Sequence, residues 1–142
     1  MHQTETGLDR FLIAQAPVYD QVLAELSAGS KTSHWMWFIF PQLRDLGRSS
    51  TARFYGIESK AEALAYWQHP VLGPRLKTCA GLVLAAPAGL TAHGIFGTPD
   101  DLKLRSCMTL FSAVAPVETV FGEVLQRFYA GVPDAATLAL LQ

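Results

Sequence analysis

The chain has 142 residues, half of them apolar and 16% charged, with a formal net charge of −1. That length suits one domain whose core needs no metal or disulfide staple, and the composition excludes an intrinsically disordered chain. Interspersed, nearly balanced charge argues against nucleic acid as a partner, and no apolar run approaches the roughly 18 residues of a membrane-spanning helix.

Met1 to Gly7 form a polar N-terminal segment without the basic-then-apolar pattern of a secretory signal, and residues 8–142 read as a single helical domain. Apolar residues recur at helical spacing from Leu8 to Gln15 and again from Pro17 to Ala28, where Val18, Tyr19, Val22, Leu23 and Leu26 share a face and Gly29 is the stop. Ser59 followed by Glu62 forms a capping box for a helix carrying Leu64 and Trp67. Another helix follows Pro74, with a stripe through Leu76, Cys79, Ala80, Leu82 and Val83, and ends by Pro87.

Thr98, Pro99, Asp100 and Asp101 combine a capping hydroxyl, a first-turn proline and two carboxylates at the positive end of a helix dipole, and predict a helix to about Ala115. Val117, Val120, Phe121, Val124, Leu125 and Phe128 continue the helical pattern to Gly131, and Asp134 caps a last short helix carrying Leu138 and Leu141. The predicted fold is all-α, with six to eight short helices around a tryptophan-rich segment. Cys79 and Cys107, the only cysteines, lie on apolar helix faces, which predicts two reduced, shielded thiols and a cytoplasmic location.

That tryptophan-rich segment runs from Ser33 through His34, Trp35, Met36, Trp37, Phe38, Ile39 and Phe40 to Pro41, and is apolar on every side. It belongs at the centre of the domain, as a helix capped by Ser33 or as a buried strand. Met36, Phe38, Ile39 and Phe40 are core residues by type. His34, Trp35 and Trp37 each carry an N–H that needs a partner when buried, which implies an internal hydrogen-bond network or a cleft. Lys31, Ser33, Gln42, Arg44 and Arg48 flank the run and are candidates for its mouth.

On the helix that begins near Pro99, Asp100 and Lys103 fall inside the apolar arc of Leu104, Cys107, Met108, Leu110, Phe111 and Val114. They read either as a snorkelling pair or as an inward charge pair able to hold an anionic or polar ligand group, whereas Asp101 and Arg105 read as an exposed pair on the outer face. His2, His34, His69 and His93 have no metal-ligand spacing, so no metal and no cofactor are expected. The sequence has no dinucleotide, Walker or nucleophile-elbow glycine pattern, and whether the domain is an enzyme stays open. His69, before Pro70, reads as a helix cap at a junction with Arg75 at the edge of an apolar stripe.

Several stretches carry a resemblance: His34 to Gln42, Leu46-Gly47-Arg48-Ser49, Tyr55-Gly56-Ile57, His69 to Leu76, Ile95-Phe96-Gly97, Lys103 and Met108 to Phe111. Together, over nearly the whole chain, they resemble the bacterial domain of unknown function family 1810, which implies an all-α single domain without an assigned activity. Members of that family have carried the label calpastatin, but calpastatins are long, charged and disordered, unlike this composition. A fainter similarity, of arrangement only, is to the YbiA-like (NADAR) N-glycosidases of ADP-ribose chemistry.

The leading functional expectation is a small-molecule site formed by His34, Trp35, Trp37, Gln42, Asp100 and Lys103, with nucleotides and ADP-ribose-like molecules as candidate ligands. A protein-interaction module without catalytic activity is the alternative. Arg44, Arg48 and Arg53 are too few for a nucleic-acid-binding stripe. The oligomeric state has no signature in the sequence.

Overall fold

A computed structural model describes the backbone from residue 3 to residue 142 and the side chains from residue 7 onward. Its helices are α1 (Gln3–Gln15), α2 (Tyr19–Ala28), α3 (Met36–Ile39), α4 (Ser50–Phe54), α5 (Lys60–Gln68), α6 (Leu72–Leu84), α7 (Ala92–Phe96), α8 (Asp100–Val114), α9 (Val120–Tyr129) and α10 (Ala135–Leu140), with a 3-10 turn at Arg44–Leu46. Only the isolated bridge between Leu43 and Ile57 has strand character among the described residues. The all-α class read from the sequence holds, and no described helix is long and apolar enough to cross a membrane.

Local chemistry explains most boundaries. Ser59 Oγ accepts from Glu62 N at 3.1 Å to start α5, and Asp134 accepts from Thr137 N at 2.9 Å to start α10. Gly29 ends α2 at φ 71°, a left-handed conformation that a side chain disfavours. His69 Nδ1 accepts from Val71 N and Leu72 N, so it caps α6 as its position before Pro70 implied.

Three expectations change. The first helix begins by Gln3 and crosses the boundary expected at Leu8. Thr98 does not cap α8, because its hydroxyl bonds His93 Nδ1 at 3.0 Å, and Pro99 occupies the cap position instead. Ser33 does not cap α3 either: its hydroxyl donates to Glu25 at 2.6 Å, and the aromatic run makes a single helical turn at Met36–Ile39. The helices α4 and α7, with five residues each, were not expected.

Helix α8 is buried along Leu104, Ser106, Cys107, Met108, Thr109, Leu110 and Phe111, and α5, α7, α9 and α10 pack around it. Ser106 and Thr109 are buried there with their hydroxyls bonded to the carbonyls of Leu102 and Arg105, and burial of the apolar side chains holds α8 at the centre. Met36, Phe38, Ile39 and Phe40 join the same core, as their residue types implied, and Trp35, read from the sequence as a ligand contact, joins it too. Edge-on aromatic pairs tie the layers together, among them Phe11 on Tyr66 with ring centres 5.0 Å apart and Trp67 on Phe121 at 5.3 Å. Cys79 and Cys107 are free and buried, and burial pushes the Cys79 thiol up to about 12 and Cys107 well above its ordinary value.

Candidate functional site

The turn before α3 is held by one carboxylate. Glu25, on the apolar face of α2 between Val22 and Leu26, accepts from Ser33 Oγ at 2.6 Å and from the amides of Thr32 and Ser33 at 2.8 and 3.0 Å. Gln21 Nε2 and the Trp35 indole N–H, both at 2.9 Å, complete its shell. Burial alone raises the Glu25 pKa, but the bonds from Ser33, Gln21 and the two amides outweigh it and hold the carboxyl well below the usual carboxylate range. Trp35 is therefore a satisfied core side chain, only 1% exposed.

The next link is Lys31. Its ammonium donates to Ser33 O at 2.7 Å, lies 5.0 Å from the Trp35 ring centre and pairs with Asp100 Oδ2 at 2.8 Å. Asp100, at the start of α8, also faces Lys103 Nζ at the longer distance of 3.9 Å. Lys103 Nζ in turn lies 5.8 Å from the Trp37 ring centre, within cation–π range. Asp101 does not pair with Arg105 as the helical spacing suggested: its carboxylate faces His93 at 3.7 Å, while Arg105 bonds the carbonyls of Val132 and Pro133.

Lys103 stands where two hollows meet. A narrow slot is walled by Met36, Trp37, Phe40 and Tyr55, and a cleft of about 540 Å³ adjoins it, with Gln42, Ala52 and Lys103 common to both. The loop before α4 contributes Arg48 and Ser49 to the cleft, α8 contributes Leu102 and Ser106, and Asp134 and Ala136 close it from α10. Of the residues singled out in the sequence, Trp37, Gln42 and Lys103 come together here. Asp100 stands behind Lys103, Trp35 is committed to Glu25, and His34 is exposed and lines neither hollow.

Part of the polar lining of the cleft is already engaged. Ser49 Oγ accepts the capping bond from Ala52 N, Ser106 Oγ donates to Leu102 O, and Asp134 Oδ2 accepts from both the amide and the hydroxyl of Thr137. Among the described residues, the Gln42 carboxamide, the Arg48 guanidinium and the Trp37 indole N–H have no hydrogen-bond partner in the protein, and Lys103 has only its long contact to Asp100 and its place over the Trp37 ring. Arg, Lys and the Trp N–H are donors only. The cleft's titratable and hydroxyl side chains are those of Arg48, Ser49, Lys103, Ser106 and Asp134.

A larger hollow, about 660 Å³, lies between α1 and α5 and is lined by Leu8, Asp9, Glu58, Ser59, Ala61, Glu62, Ala65 and His69. Its hydrogen-bonding groups are largely occupied: Glu62 takes Arg10 Nη2 at 3.2 Å and Glu58 N at 2.8 Å, Ser59 caps α5, and His69 caps α6. Size favours this hollow and unused donors favour the smaller cleft; donors decide recognition, because polar groups fix a ligand's orientation.

Residues 5–141 match the family described as "Protein of unknown function (DUF1810)", and the chain belongs to that family. Among solved structures it is similar to the conserved hypothetical protein Rv1873 from Mycobacterium tuberculosis, at 54% sequence identity and a TM-score of 0.92, covering 94% of this chain and 95% of that one. No curated protein matches. The fainter likeness to NADAR N-glycosidases has no counterpart among these matches.

Proposed function

We propose that this protein binds a small anionic molecule in the cleft between the loop before α4, the first turns of α8 and α10. The observation that carries this reading is the set of unused donors: Gln42, Arg48 and Lys103 line one cleft, with Trp37 in the adjoining slot, while Ser49 Oγ and one oxygen of Asp134 serve helix caps. A ligand rich in acceptors and negative charge complements that set. Nucleotides and ADP-ribose-like molecules are of this class.

The proposed site keeps Trp37, Gln42 and Lys103 from the sequence reading and adds Arg48 as a second cation. Asp100 acts through Lys103, Trp35 through the Glu25 network, and His34 has no part in it. A thermal-shift screen of nucleotides, sugar phosphates and organic acids tests the proposal, since a ligand that binds only the folded state raises its melting temperature. Lys103→Ala removes the shift, and Lys60→Ala, an exposed cation outside the cleft, keeps it. Equal loss in both variants, or a shift untouched by Lys103→Ala, rules the cleft out.

A further inference from the structure

We propose that the anion held by Lys103 and Arg48 also carries an ammonium group, and that Asp134, on the α10 side of the cleft, is the residue that selects it. This rests on the reading of the cleft as an anion site and names the other half of its ligand. Three hydrogen bonds fix Asp134: its amide donates to Thr109 Oγ1 at 2.9 Å, and Oδ2 accepts from the Thr137 amide at 2.9 Å and the Thr137 hydroxyl at 2.6 Å. Thr137 is fully buried, which leaves the carboxylate little freedom to turn. The second oxygen, Oδ1, has no hydrogen-bond partner among the described residues, and no cation there pairs with Asp134. Arg105, which reaches the two residues before it, bonds the carbonyls of Val132 and Pro133 instead.

Thr109, the anchor of Asp134, stands six residues beyond Lys103 on α8, about 9 Å along the helix axis. One cleft thus holds two cations without a close partner and, separated from them along α8, a carboxylate oxygen without one. A plain anion meets Asp134 only as a repulsion. An anion with an ammonium that reaches Oδ1 turns the same charge into a charge-assisted hydrogen bond. A hydroxyl would satisfy the oxygen but leave its charge without a counter-charge, so the ammonium is the better complement. The contact between Lys103 and Asp100 costs every anion the same to break and has no part in this choice.

Calorimetric titration at pH 8 tests this with two series of phosphates on chains of two to five carbons, the one ending in an amine and the other in a methyl group. Within a pair of equal length the phosphate is shared, so its contacts cancel and the terminal group is read alone. The wild-type chain is expected to bind the amine about five-fold tighter at the length that spans the cleft. Asp134→Asn and Asp134→Ser both keep a capping oxygen for α10 and remove the charge. In both, the ratio is expected to fall to about one or below: the amine binds more weakly, and the methyl-ended phosphate binds as tightly as before or more so. A loosened fold would weaken both series together. Equal wild-type binding of the two series at every length, or a preference that survives in the folded variants, overturns the role given to Asp134 and leaves the cleft reading standing. No binding of either series at millimolar concentration, or binding that Lys103→Ala leaves unchanged, overturns both.

Discussion

Glu25 has five donors converging on one buried carboxylate, and its ionisation is built into the fold. Its folded-state pKa lies below the ordinary value of 4.5, so the unfolded chain binds the proton more readily and stability rises with pH. The contribution is complete above about pH 4.5 and is lost as the pH falls toward the folded-state value. Glu25→Gln is expected to lower unfolding free energy by roughly 2–4 kcal/mol, since an amide nitrogen meets donors and the charge-assisted bonds are gone. Urea unfolding from pH 6 down to pH 3 checks it: the wild-type midpoint drops across the acid range and the variant's drops less. An identical pH profile in both chains would show that Glu25 does not carry this dependence.

Among the elements, the junction of α5 and α6 is the tightest. A Cβ on Gly73 would meet the Trp67 carbonyl oxygen at 2.0 Å, a backbone atom with no room to move, whereas a Cβ on Gly81, further along α6, meets nothing within 4 Å. Gly73→Ala is therefore expected to destabilise by roughly 2 kcal/mol or more, and Gly81→Ala to be neutral or stabilising by up to about 1 kcal/mol. Denaturant midpoints of the two variants check the contrast. Comparable losses in both would mean that helix propensity, and not this close approach, governs α6. The elements most legible in the sequence are those whose signals are local: the Ser59 and Asp134 caps, the Gly29 stop and the apolar stripes of α6 and α9. Where a side chain has an alternative partner on the preceding helix the capping signal misleads, as when Ser33 serves Glu25 and Thr98 serves His93. The helices α4 and α7 are too short for periodicity to register.

On the scale of the whole molecule, Cys79 and Cys107 report on global opening, because both thiols are buried and held protonated. Labelling by a thiol reagent is expected to be slow in the native protein and complete in denaturant. Rapid native labelling of either cysteine would show that the core opens locally around α6 or α8. The cleft is also a property of the whole chain. Trp37, Gln42 and Lys103 stood out in the sequence as a polar-tipped aromatic run and a charge inside an apolar arc, and Arg48 as a flanking cation. Glu25 fell on the apolar face of α2 by the same spacing test and was not singled out. The pairing of Lys31 with Asp100 and the closure of the cleft by α10 join distant parts of the chain, which no local pattern encodes.

Whether the cleft holds an anion is read by chemical-shift mapping of the labelled protein on addition of phenyl phosphate. Saturable shifts are expected for the Trp37 indole N–H, the Gln42 side-chain amide and the backbone amides of Arg48, Ser49 and Lys103, with Ala61, Ala65 and His69 in the larger hollow unmoved. Shifts centred on that larger hollow, or none at millimolar probe, would contradict it.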